Sequence, residues 1–315
     1  MIIKRIFFIN CRKYKHVVMK KFNCLRKQKL FKAISVAIVA VMLANSCGTV
    51  AVTGRKQLML VSDEDVLSLS NKSYKEYMDT AKVSTDKKNT EMVVRVGTRL
   101  ANAVEEYLKA NGHEADCKNF AWEFHLVQDK EANAFCMPGG KIVVNEGLLP
   151  ITQTEDALAI VLGHEIAHAV AKHSAERMSH QILANYGASA LGVILSGQSA
   201  ATQSVSQAVY GLGANYGVMM PFSRKDDSEA DHMGLIFAAM AGYDPQVAVS
   251  FWQRMQAAGS KIPEFFSDHP SDENRIAQIK KEMPEAMQYY KAGKTQTNKP
   301  SQNGSATAKK SSKKK

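Results

Sequence analysis

The chain has 315 residues, 45% of them hydrophobic and 23% charged, enough apolar material for a sizeable core, which excludes a disordered chain except at the ends. Its net charge of +11 is confined to those ends: residues 1–46 hold eleven Lys or Arg and no acid, and residues 291–315 hold eight Lys and no acid. The stretch 47–290 carries 22 basic against 30 acidic residues, a net of −8, and this excludes a nucleic-acid surface on the folded part.

Residues 1–46 read as a leader. The apolar run 33–44 is too short for a membrane-spanning helix, follows a dense basic stretch, and ends at Ala44-Asn45-Ser46-Cys47. Small residues before a Cys resemble a bacterial lipoprotein processing site, with Cys47 as the lipidated residue. An exported, periplasm-facing protein anchored by lipid follows, with the outer membrane favoured over the inner. The basic stretch is long for a leader, and Met19-Lys20-Lys21 is the more typical start.

A lipid-anchored linker is expected over 47–62. Helical spacing opens at Asp63 and again near Asn89, where Val93, Val96, Leu100, Val104 and Leu108 recur until Asn111-Gly112. Residues 121–127 alternate as a strand. Asn133–Cys136 and Lys141–Val144 flank Met137-Pro138-Gly139-Gly140 as two strands around a tight turn. Thr154 caps a strongly apolar helix expected over 155–172. Residues 181–223 hold no charged side chain and read as close-packed helices, or as a flap near a site. Further helices begin at Ser223, after Pro245, and near Ser271. The Lys-rich tail 291–315 reads as disordered. Cys117 and Cys136 are a possible pair only in an oxidising compartment.

Gly163-His164-Glu165-Ile166-Ala167-His168 contains H-E-x-x-H, a zinc-peptidase pattern. Residues i and i+4 share a helix face, so His164 and His168 can aim two nitrogens at one Zn2+ ion per chain. Glu165 sits beside the ion, placed to take a proton from a water that the metal has made acidic. The expected fold is α+β: a mostly helical zincin-type domain over 63–290, with a small β-sheet and a central helix carrying the motif. A catalytic zinc wants a third protein ligand, and the carboxylate-rich stretch Ser223–Asp231 is the place to look.

His164 to His168, with the distal Ser223-Arg224 and Ala230-Asp231, resembles the family-48 metallopeptidases, the HtpX-like and prenyl-protein endopeptidases. Asn133-Ala134-Phe135, Pro138-Gly139-Gly140, Glu146-Gly147-Leu148-Leu149, His269-Pro270 and Arg275-Ile276 carry the same resemblance, which covers about 50–290. It implies a metalloendopeptidase of envelope quality control with unfolded or misfolded proteins as substrates. It also implies a third ligand at Asp227, where the family usually has Glu. The shorter Asp requires its helix to sit closer to the ion or leaves activity reduced; Glu229 is the alternative ligand. Asp231, on the face of Asp227, suits a hydrogen bond from a ligand His, and Arg224 suits a pair with Asp231 or with substrate. In some periplasmic relatives the residue matching His269 closes the open metal position as a latch. The strand with Asn133, Phe135 and Gly139 is a candidate edge for an extended peptide. The rival reading is a zinc-holding chaperone or assembly factor with little proteolysis.

Overall fold

The computed structural model describes residues 47–195, 223–258 and 274–297. The expected leader, the rest of the uncharged stretch beyond Leu195, His269 and the end of the Lys-rich tail lie outside them. The chain divides into two compact units. The described part of the first comprises 47–50, 54–69 and 174–195; that of the second comprises 51–53, 70–173, 223–258 and 274–297.

The first unit carries strands β1 (Cys47–Thr49) and β2 (Lys56–Leu58), paired antiparallel with Gly48 opposite Gln57. The expected linker therefore contains an ordered ribbon. The start of helix α1 (Asp63–Thr80) also belongs here, and its remainder lies in the second unit. Val61, Val66, Leu69, Met178 and Ile182 are buried. Arg55 donates to both carboxylate oxygens of Glu176, at 2.8 and 2.6 Å.

In the second unit, Asp86 caps helix α2 (Lys87–Ala110) by accepting from the Asn89 amide. The buried positions of α2 include the apolar stripe read from its spacing. A short helix α3 (Glu114–Cys117) leads to a three-stranded sheet of β3 (Glu123–Val127), β4 (Ala134–Met137) and β5 (Lys141–Asn145). The order is β3-β5-β4, with β3 parallel and β4 antiparallel to β5, so β4 is an edge. Gly139 and Gly140 turn the chain between β4 and β5 at φ 89° and 85°, the left-handed region that glycine enters without strain. The Trp122 ring fills the place where a Cβ on Gly140 would stand.

Helices α4 (Leu149–Thr152) and α5 (Glu155–Val170) follow, the latter capped by Thr154 accepting from the Ala157 amide. Helix α5 is buried on nearly every side, as its composition requires, and α2 and β4 pack on it. It ends two residues earlier than its apolar run suggests, because Ala171 closes it and Lys172 adopts φ 57°. Helix α6 (His173–Leu195) begins there and covers the start of the uncharged stretch. Helix α7 (Arg224–Met240) opens with a reciprocal cap between Ser223 and Asp226. Helices α8 (Val247–Ala258) and α9 (Arg275–Thr297) complete the unit. No described helix is long and apolar enough to cross a membrane. Cys117 and Cys136 are both free: Cys117 faces the Glu105 carbonyl, while Cys136 is buried in β4.

Helices α5 and α7 meet backbone to backbone. A Cβ on Gly163 would stand 2.8 Å from the Gly234 carbonyl oxygen, and one on Gly234 would stand 2.7 Å from the His164 amide nitrogen. Backbone meets backbone here, which only glycine allows. That contact brings the start of α7 against the motif of α5.

Candidate metal centre

His164 and His168 lie one turn apart on α5, and their Nε2 atoms are 3.1 Å from each other. Asp227, in the first turn of α7, brings Oδ1 to 3.4 Å from His164 Nε2 and 3.6 Å from His168 Nε2. All three residues are buried. A tetrahedral zinc with bonds of about 2.0–2.1 Å separates its ligand atoms by about 3.3 Å, and the three observed edges bracket that value. Two neutral nitrogens and one carboxylate oxygen are also the donor types zinc takes in catalytic sites. The donor set fits the ion that the motif implies.

Without a metal, the two Nε2 atoms need a proton between them. Burial pulls the His164 imidazolium down, but hydrogen bonds to Asp227 and Asp231 outweigh it and bring its pKa up to about 9. Burial holds His168 well below the usual imidazole range in spite of Asp227, helped by the neighbouring His164 and His173. One proton on His164, donated to His168, satisfies both rings; a bound metal ion would take that proton's place.

His164 is held from behind. His164 Nδ1 lies 2.9 Å from Asp231 Oδ1. Arg275, the first residue of α9, donates from Nε to Asp231 Oδ2 at 2.6 Å and from Nη2 to Oδ1 at 2.7 Å. Its guanidinium lies 3.3 Å over the Trp252 ring of α8. Asp231 thus touches His164 from one turn beyond Asp227 on α7.

Arg224 does not take the Asp231 carboxylate. It is exposed at the start of α7 and, with Asp227, Asp231 and Arg275, borders a cavity of about 260 Å³. The reason is positional: seven residues along α7 separate Arg224 from Asp231, whereas Arg275 arrives from a different helix at bonding distance. Glu229 lies outside the donor set as well. Two residues beyond Asp227, the helix has turned by about 200°, and the Glu229 carboxylate meets His173 Nε2 at 3.0 Å and the Thr53 hydroxyl instead. His173 thus lies beside the motif, although H-E-x-x-H does not name it.

Glu165 is buried on α5; burial first, and then the nearby charge of Glu165, push the Cys136 thiol of β4 well up, so Glu165 lies near that strand. Of the three residues expected on that edge, only Phe135 lies within β4, edge-on to Tyr77 with centroids 5.2 Å apart. Asn133 precedes the strand, and its carbonyl accepts from the Asn145 amide at 3.0 Å. Gly139 lies in the turn, where two successive left-handed residues end the strand, and its carbonyl accepts from the Ala121 amide. His269 lies outside the described residues, as does everything before Cys47.

A buried helix with two histidines one turn apart, a glutamate between them and a carboxylate from a crossing helix defines a metal centre of the metallopeptidase type. Residues 96–283 match peptidase family M48, and the chain belongs to that family. It is 42% identical over 168 residues to the mitochondrial metalloendopeptidase OMA1 of Schizosaccharomyces pombe, covering 52% of this chain and 48% of that protein. It is 30% identical over 247 residues to the mitochondrial metalloendopeptidase OMA1 of Homo sapiens, covering 75% of this chain and 46% of that one. The beta-barrel assembly-enhancing protease of Escherichia coli (strain K12) is 26% identical over 253 residues, 79% of this chain and 50% of the relative. The chain spans about half the length of these curated relatives.

Proposed function

We propose that the chain is a zinc-dependent endopeptidase, with His164, His168 and Asp227 holding one zinc and Glu165 moving the protons. The observation that carries this reading is the triangle of donor atoms, 3.1, 3.4 and 3.6 Å on its edges, with Glu165 next to it in sequence on a buried helix. Zinc, when bound, polarises a carbonyl and lowers the pKa of water to about 7. Glu165 then takes a proton from the attacking water on its carboxylate. Water oxygen adds to the scissile carbonyl carbon, the C–N bond breaks, and Glu165 passes the proton to the leaving amine nitrogen. Asp231 and Arg275 hold the His164 ring in place during these steps. An extended substrate added to the outer side of β4 brings its backbone past Glu165, with main-chain hydrogen bonds giving little sequence preference.

That mode suits unfolded or misfolded chains, and the leader with Cys47 supports an exported, lipid-tethered envelope enzyme. The Escherichia coli relative, a beta-barrel assembly-enhancing protease by name, supports a role in envelope protein quality control.

The test is zinc content and casein cleavage of the chain from residue 48 onward, wild type beside Glu165→Gln. One zinc per chain in both, with cleavage in the wild type alone, is the expected result. Zinc without cleavage in either protein points to a chaperone or assembly factor. No zinc in the wild type refutes the reading.

A further inference from the structure

A third imidazole, His173, lies against the two named by the motif. It follows His168 by five residues, which on an unbroken helix swings it about 140° off the metal-facing side. Here the helix is broken. Ala171 closes α5, Lys172 adopts φ 57° with its Nζ held to Asp116 Oδ1 at 2.8 Å, and α6 starts at His173. The turn returns the His173 ring to His168, Nδ1 to Nδ1 at 2.9 Å, with centroids 4.9 Å apart and planes at 72°. The far nitrogen, Nε2, meets Glu229 Oε2 at 3.0 Å, and Glu229 Oε1 accepts from the Thr53 hydroxyl. The His173 side chain has no exposed surface.

These contacts have one consistent proton arrangement. If His168 gives Nε2 to a metal, its proton is on Nδ1 and must be donated. His173 Nδ1 then accepts it, so the His173 proton sits on Nε2 and is donated to the Glu229 carboxylate. Carboxylate, imidazole and ligand imidazole form a line with every donor facing an acceptor. His164 has the same arrangement with one link fewer, Nδ1 to Asp231 directly.

We propose that His173 and Glu229 are positioning residues: a buried relay that fixes His168 as the Nδ1–H tautomer, orients its ring, and so sets the affinity of the metal site. This rests on the reading of His164, His168 and Asp227 as metal ligands. It also gives Glu229 a role without making it a ligand.

The experiment compares wild type, Glu229→Gln, His173→Phe and His173→Asn. The readouts are zinc dissociation constants by chelator competition, the visible spectrum with Co2+ in place of zinc, and the thermal midpoint of the metal-free protein. Outer partners of ligand histidines typically contribute about 10–100-fold in metal affinity. The expected loss is about 10-fold for Glu229→Gln and nearer 100-fold for His173→Phe, with the tetrahedral cobalt spectrum kept. His173→Asn, whose side-chain oxygen can accept from His168 Nδ1–H, recovers part of the loss. Unchanged zinc affinity in both Glu229→Gln and His173→Phe, with only the metal-free midpoint lowered, overturns the relay and leaves the metal reading intact. A loss in Glu229→Gln as large as in Asp227→Asn, with an altered cobalt spectrum, makes Glu229 a ligand and also overturns it. If His173→Phe does not fold, the near-isosteric Glu229→Gln decides. A wild type that takes up no zinc refutes the metal reading and the relay with it.

Discussion

Asp227 is one methylene shorter than the glutamate its position resembles, yet its Oδ1 stands 3.4 and 3.6 Å from the two histidine nitrogens. The side chain therefore needs no further reach. Its charge matters more than its shape: in a buried site, a carboxylate both donates an electron pair and offsets the charge of the ion. Asp227→Asn keeps the shape and removes the charge. It is expected to weaken zinc binding by more than the about 10–100-fold typical of outer partners, measured by chelator competition. Asp231→Asn, which leaves all three donors in place, should fall within that range.

At the scale of elements, the reach of Asp227 is a property of the α5–α7 crossing. Gly163 and Gly234 let the two backbones touch, and Asp227 lies two turns before Gly234 along α7. A methyl group at 234 meets the His164 amide nitrogen at 2.7 Å and the Gly163 carbonyl carbon at 2.9 Å, both backbone atoms with no rotamer to escape into. Gly234→Ala is expected to cost about 1–3 kcal/mol, the usual range for overpacking a filled contact. Because relief requires α7 to lift away, the same variant should also lose about tenfold or more in zinc affinity. A denaturation series on metal-free protein alongside zinc titration separates the two effects. Lost stability with unchanged zinc affinity would show that the crossing does not set the reach of Asp227.

Arg275 works at the scale of the second unit. From the first turn of α9 it forks onto Asp231 of α7, stacks on Trp252 of α8, and approaches His164 of α5 to 3.5 Å. Removing one partner of a buried pair strands the other charge, and Arg275→Ala is expected to cost about 3–5 kcal/mol. The pair also has a pH signature. Burial pushes the Asp231 carboxyl up, but Arg275 and His164 outweigh it and hold it below its ordinary value near 3.8. A carboxyl depressed on folding contributes stability above its unfolded pKa and loses it as pH falls through the folded one. In chelator-treated protein, the stability advantage of wild type over Asp231→Asn should be full above about pH 4 and shrink below it. A difference that stays constant down to pH 2 would mean that Asp231 is not depressed.

Local chemistry made much of this legible before any coordinates. The i, i+4 spacing puts His164 and His168 on one face, the apolar run around them requires a central buried helix, and Thr154 marks where it starts. Paired strands around Met137–Gly140 follow from the turn glycines. The same periodicity put Asp231 on the face of Asp227. What the sequence by itself did not determine depends on which residues meet across separate elements. Arg275, 44 positions beyond Asp231, pairs with it because α9 packs on α7, and no local spacing encodes that. His173 is out of phase with the motif on any continuous helix, and only the left-handed Lys172 returns it to His168. Glu229, two residues from Asp227, was separable from it only when the contact at Gly163 and Gly234 fixed which face of α7 meets His164 and His168. Sequence period specifies faces; tertiary packing chooses what each face meets, because those contacts are decided by the whole core at once.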